Sequence, residues 1–256
     1  MIYTCKPAKV AIYVNTGRKS TAQIKAETGC TALINGGLFD MRNFQPVYHL
    51  KVDGRVLASE PYAYWGFGWN SGSGDLQLVN DYRNLDNYIC SVCMVKDGQE
   101  MPMYYDTSMG GYRPRTALGV FEDGRVWLYA DARTNLTPVQ LQKLAIRAGL
   151  KHAIMLDGGG STQGASPTET VNASRRVHNY ICVWAEPEPA KEVTQDMTET
   201  ETRIRQRVVA IATGWLGKDE KDGSFKEIID RYNRHTPLPV GYKVKYTDEW
   251  CATFVS

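Results

Sequence analysis

The first 185 residues alternate short apolar runs with Gly- and Asn-rich turns, and this punctuation constrains the fold more than any other feature of the chain. Apolar runs at 10–14, 32–34, 47–52, 63–69, 76–79, 117–121, 126–130, 153–156 and 180–184 have the length of strands rather than helices. The stretch 88–95 reads as one more strand. Two segments have helical spacing. In 20–28, Ser20 is the cap. In 137–148, Thr137 caps, Pro138 takes the first helical position, Leu141, Leu144, Ala145 and Ala148 form an apolar stripe, and Gly149 stops the helix. The expected class is α+β: a sheet-rich mixed domain with a few packed helices. If the strands at 126–130 and 153–156 run parallel, they deliver Asp131 and Asp157 to the same side of the sheet.

The text changes at Glu186-Pro187-Glu188-Pro189, where a polar, acidic run through Thr202 reads as a solvated linker. The expected organisation is a domain over 1–186, a linker over 187–202 and a small, mostly helical piece over 203–256. In that piece Ile204, Val208, Ile211 and Trp215 fall at helical spacing, and 225–232 reads as a second helix. A net charge of +2 and the lack of a basic stripe with interleaved aromatics argue against a nucleic-acid partner. No apolar run is long enough to span a membrane, and residues 1–10 lack the pattern of a signal peptide. Localisation therefore stays open between the cytoplasm and release by a phage or by lysis. The six cysteines read mainly as free thiols. Cys90 and Cys93 have the spacing of half a zinc site, but no second pair completes it, so neither metal nor cofactor is expected.

Four segments carry polar chemistry. They are Asn35-Gly36-Gly37-Leu38-Phe39, Pro114-Arg115-Thr116-Ala117-Leu118-Gly119, Asp157-Gly158-Gly159-Gly160-Ser161-Thr162, and a closing Arg-x-Val-x-Asn within Arg175-Arg176-Val177-His178-Asn179. Their order strongly resembles the phosphodiester glycosidase family over roughly residues 8–185. Its best-known relatives remove N-acetylglucosamine from a phosphodiester. Leu38 and Gln163 depart from the family pattern, where an aromatic and a Met-like residue are common, and they leave the identity of the sugar open.

The resemblance implies a site that binds a sugar-1-phosphodiester. Such a substrate calls for cations at the phosphate and a carboxylate at the anomeric carbon. Asp157 is the first candidate for the catalytic carboxylate. Asp131 is the second, unless it merely pairs Arg133 or caps a turn. Arg115, Arg133 and Arg176 are candidate phosphate contacts. Gly36, Gly37, Gly158, Gly159 and Gly160 offer backbone N–H groups, and Ser161 and Thr162 offer hydroxyls. Thr116 and Asn179 belong to the same motifs. Asn35 either binds a sugar hydroxyl or holds its own turn, and Asp40 and His178 read as structural.

The tail Trp250-Cys251-Ala252-Thr253-Phe254-Val255-Ser256 resembles the start of the CHAP/NlpC-type cysteine amidases, with Cys251 as the nucleophile at a helix start. Those enzymes need a later His and a polar orienter, so 203–256 reads as a truncated amidase-like domain. That context points to bacterial cell walls. The leading expectation is thus a hydrolase that releases a sugar, N-acetylglucosamine by resemblance, from a sugar-1-phosphodiester in a wall or envelope glycan. The alternatives are a phosphosugar-binding module of a phage or wall-associated protein and a fragment of a peptidoglycan amidase.

Overall fold

The computed structural model describes residues 1–187, 207, 209–210, 213–214, 217–219, 221–236, 238 and 242–247. Two compact units divide the chain, Met1–Glu188 and Pro189–Ser256.

The first unit is α+β, built on three antiparallel sheets and a short hairpin. The largest sheet has the order β1 (Ile2–Cys5), β14 (Val126–Leu136), β13 (Arg113–Val120), β15 (His152–Met155), β11 (Val92–Lys96), β12 (Gln99–Glu100). A second contains β17 (Thr170–Val171), β16 (Gly164–Ala165), β3 (Ala32–Asn35), β18 (Asn179–Ala185) and β2 (Pro7–Val14). The third contains β7 (Arg55–Ala58), β6 (Leu50–Val52), β10 (Asn87–Cys90), β8 (Gly66–Trp69) and β9 (Gln77–Val79), and β4 (Phe39–Asp40) pairs with β5 (Gln45–Pro46).

Strand periodicity sorts the side chains between layers. In the large sheet, Leu118, Val126, Leu128, Ala130, Ile154 and Leu156 turn towards a core shared with Ile34, Ile181 and Val183 of the second sheet and Phe67 and Ile89 of the third. Their neighbours Ala117, Trp127, Tyr129, Ala153 and Met155 turn the other way and pack with Leu141 and Ala145 of helix α2 (Pro138–Arg147). Helix α1 (Thr21–Thr28) covers the outer face of the second sheet, where Ile24 meets Leu33, Tyr180 and Cys182. Both helices start on the expected cap, Ser20 and Thr137. In each a glutamine three residues on closes a capping box, worth about 1 kcal/mol.

Two strand boundaries differ from the sequence reading. Positions 88–95 form two strands in different sheets, because the chain changes sheets at Ser91 while both halves stay buried, so the apolar text shows no break. Cys90 and Cys93 therefore stand on separate strands, and the five described cysteines are all free. Strand β14 runs on through Asp131 and Arg133 to Leu136, pairing with a β13 that already contains Pro114-Arg115-Thr116.

In the second unit, helix α3 (Lys226–Asn233) packs Ile229 and Tyr232 with Phe225 and Val244. The helix expected over 203–215 lies largely outside the described residues, and Cys251 lies wholly outside them.

Candidate active site

The four motif segments converge at the ends of β3, β13, β15 and β18, and one side chain ties three of them together. Asn35, fully buried at the end of β3, accepts hydrogen bonds at Oδ1 from Thr116 Oγ1 (2.7 Å) and from the backbone N–H of Gln163 (3.0 Å). Its Nδ2 donates to the carbonyl of Asp157 (2.8 Å). The Asp157 N–H in turn donates to the carbonyl of Gly36 (3.2 Å), and the Leu156 N–H to the carbonyl of Thr116 (2.8 Å). Asn179 completes the frame. Its backbone carbonyl accepts from the Gly36 N–H and its Oδ1 from the Gly37 N–H, both at 2.9 Å. A Cβ on Gly36 would come within 1.9 Å of Asn179 Oδ1, so only glycine permits this approach. Asn35, Gly36, Gly37, Thr116 and Asn179, expected as substrate contacts, are thus occupied in holding the site together, and none of them lines the cavity described next.

That cavity, about 310 Å³, opens beside Asp157. Leu38, Met41, Met109 and Met155 form an apolar wall, and Arg113, Arg115, Gly158, Gly159, Gly160 and Arg175 form a polar one. Burial pushes the Asp157 carboxyl up to about 6, against the opposing effects of the Ser161 hydroxyl, the Arg175 charge and the Gly158 N–H. Arg175 Nη1 donates to Ser161 Oγ (3.1 Å) and lies over Gly160, where a Cβ would meet Nη2 at 3.0 Å. Gly159–Ser161 forms a short 3-10 turn whose leading N–H groups have no acceptor within the turn. The Ser161 hydroxyl is therefore a link between carboxylate and guanidinium. Thr162 Oγ1 is buried without a partner.

Arg115 does not serve as the expected two-pronged phosphate contact. It is 2 % exposed, and its guanidinium is committed to the carbonyls of Leu136, Met109, Gly110 and Gly111 and to the Met155 sulfur. No carboxylate is among these partners. Burial, and after it the charge of Arg113, lower its pKa, yet a guanidinium stays protonated. Arg115 thus sets a fixed positive field at the cavity wall while it binds the 109–111 loop to the sheet.

The sequence pattern of the phosphodiester glycosidase family matches residues 28–184, which hold all four motif segments. The chain belongs to the phosphodiester glycosidase family. Two solved structures share the fold of this phosphodiester glycosidase chain. The catalytic domain of zebrafish N-acetylglucosamine-1-phosphodiester alpha-N-acetylglucosaminidase, auto-inhibited by its pro-peptide, is 17% identical with a TM-score of 0.56, over 70% of this chain and 73% of that one. A hypothetical protein from Synechocystis is 12% identical with a TM-score of 0.61, over 72% of this chain and 59% of that one. No curated protein sequence matches the chain. The family match ends at residue 184, ahead of the segment in which the CHAP/NlpC resemblance was read.

In this member of the family the other sequence candidates fall elsewhere. Asp131 lines a separate cavity with Gln140, Lys143 and Arg147 of α2, and its Oδ1 accepts from the N–H groups of Arg133 (2.8 Å) and Thr134 (3.1 Å), the turn-capping role left open above. Arg133 and Arg176 are exposed and line none of the cavities described. Asp40 pairs with Arg42 at 2.8 Å. Besides the committed Arg115, the cations that line the Asp157 cavity are Arg175 and Arg113. For Arg175 the signal was in the motif itself, since Arg-x-Val-x-Asn places its arginine at 175, two residues before Val177. Arg113 carried no comparable signal.

Proposed function

We propose that this chain hydrolyses the bond between the anomeric carbon of a sugar and a phosphodiester, with N-acetylglucosamine as the sugar and a bacterial wall or envelope polymer as the source. The observation that carries this reading is a lone carboxyl, poised near 6 by burial, in a sugar-sized cavity with three arginines around it. Arg113 and Arg175 hold the phosphate oxygens, the leading N–H groups of the Gly159–Ser161 turn add donors, and the fixed charge of Arg115 strengthens the pull on an anion. The apolar wall of Leu38 and the three methionines takes the sugar's less polar face.

Asp157 acts as general base. It draws a proton from a water whose oxygen bonds to the anomeric carbon as the carbon–oxygen bond to phosphate breaks. The electron pair leaves on a phosphate oxygen already neutralised by arginine, so no second carboxylate is needed to protonate the leaving group. That requirement fits a cavity which holds Asp157 but not Asp131.

The test is release of N-acetylglucosamine from a synthetic N-acetylglucosamine-1-phosphodiester, run beside the corresponding methyl glycoside. Cleavage of the first and not the second is expected. Cleavage of both would remove the argument from leaving-group charge. Tight binding of the phosphodiester with no turnover would replace the hydrolase by a phosphosugar-binding module.

A further inference from the structure

A third cavity, about 480 Å³, is lined in part by the β4–β5 hairpin and shares no lining residue with the Asp157 cavity. Arg18 and Arg55 stand at it, exposed, and among the described residues neither has a carboxylate within ion-pair distance. No Asp or Glu lines it. The Arg18 guanidinium sits 4.5 Å over the Phe44 ring, whose centroid is 5.7 Å from the ring of His178. Arg18 (φ 50°) and Phe44 (φ 58°) both hold left-handed backbone, uncommon for residues with a Cβ.

The deciding group is His178, 4 % exposed, at the inner wall. Asn179 Oδ1 accepts the Gly37 N–H, which fixes the orientation of that amide, so Asn179 Nδ2 must donate to His178 Nδ1 (3.2 Å). The neutral ring then carries its proton on Nε2. Burial lowers the ring's pKa and favours that neutral form. Among the described residues the Nε2–H has no protein acceptor. Among the described residues, the only side-chain polar atoms sealed away without a partner are Ser91 Oγ and Thr162 Oγ1. The Nε2–H is therefore open to solvent, and His178 is among the residues that line the cavity.

We propose that this cavity is a second site, for a phosphate-type oxyanion: His178 Nε2–H donates from the inner wall, Arg18 and Arg55 close on it from the rim, and Phe44, Val56 and Leu57 cover the organic part that carries it. The inference does not depend on the hydrolase reading. Such a phosphate has two sources, a free phosphorylated small molecule or a further phosphate along the polymer that enters the first cavity.

The experiment is an NMR titration with inorganic phosphate and, separately, with a two-unit glycosyl-phosphate oligomer, following the His178 ring, the Asn179 side-chain amide and the Gly37 N–H. Saturable shifts are expected in the wild type and in Arg175→Ala, which weakens only the first cavity. In Arg18→Gln/Arg55→Gln the apparent Kd should rise by at least about tenfold. Both arginines are exposed, so the double variant should keep the rest of its spectrum. Signals that stay still with both probes, or that titrate identically in the double variant, would overturn the proposal. Tighter binding of the oligomer than of phosphate, lost in the double variant, would support the polymer as the source. Equal affinities, both lost, would support a free phosphorylated molecule.

Discussion

Asp131 and Asp157 are the same residue type at the same level of the same sheet, yet their surroundings separate them. Strands β14 and β15 run parallel, each antiparallel to β13 between them; Asp131 pairs with Arg115, and Asp157, two residues beyond the Met155–Ala117 pair, stands level with Arg115 from the other side. Two interstrand spacings, roughly 10 Å, separate the two backbones. Partial burial pushes the Asp131 carboxyl up, but the N–H groups of Arg133 and Thr134, helped by the Thr134 hydroxyl and the N-terminal charge, together hold it below the usual carboxylate range. At Asp157 burial outweighs every compensating contact and the carboxyl rises to about 6. Position in a sheet does not assign a catalytic carboxylate; the balance between desolvation and N–H donors does.

The comparison can be broken most directly by exchanging each acid for its amide. Asp157→Asn should lower kcat by about 10³-fold or more, whereas Asp131→Asn, which keeps an oxygen for the two N–H groups, should stay within about threefold of wild type. Comparable losses in the two variants would return Asp131 to the mechanism.

Next in size is the residue between them. Arg115→Ala strips the carbonyls of Met109, Gly110, Gly111 and Leu136 of their donor, and chemical denaturation should show a loss of about 3 kcal/mol. A loss below about 1 kcal/mol would mean that the loop holds without it.

A smaller effect sharpens the contrast through stability. A carboxyl raised in the folded state disfavours folding once ionised, so its cost is absent below the unfolded pKa of about 4 and is fully present above the folded value of about 6. Asp157→Asn should therefore be more stable than wild type by about 2 kcal/mol near pH 8, with the gain vanishing near pH 4. Asp131 has the opposite sign, so its contribution should fade as the pH falls into the acid range. Thermal unfolding across pH checks both.

The smallest shift concerns rate. With Asp157 ionised as base, kcat/KM should rise with pH through about 6, and in Arg175→Ala this acid limb should move upward by about half a unit to one unit, because the cation that favours the carboxylate is gone. A limb that stays in place would detach Arg175 from Asp157.

Much of this arrangement was legible in the residues. Short apolar runs between Gly- and Asn-rich turns gave most strands, and Ser20 and Thr137 gave the helix starts. Asp157 could be singled out because an apolar strand that ends in an acid and three glycines has few other uses. The contribution of the glycines was less readable, since a Gly-rich turn serves a ligand and a close backbone approach equally well, and Gly36 proved to be the latter. Arg115 misled because a sequence cannot show that four carbonyls already surround a guanidinium. Arg175 and Arg176 are adjacent, so only the local path of the chain decides which one turns inward, although the spacing of Arg-x-Val-x-Asn favours 175. The break at Ser91 was invisible because both strands that flank it are buried.

The bonds that hold Asn35 and Asn179 join residues 81, 122, 128 and 142 positions apart in the chain. A site tied together over such separations has no local precursor: no hairpin or single helix of this protein can prefigure it, and every one of those bonds waits on closure of a long loop. Recovery of catalysis after dilution from denaturant should consequently accompany the last structural phase of refolding, behind the return of secondary structure.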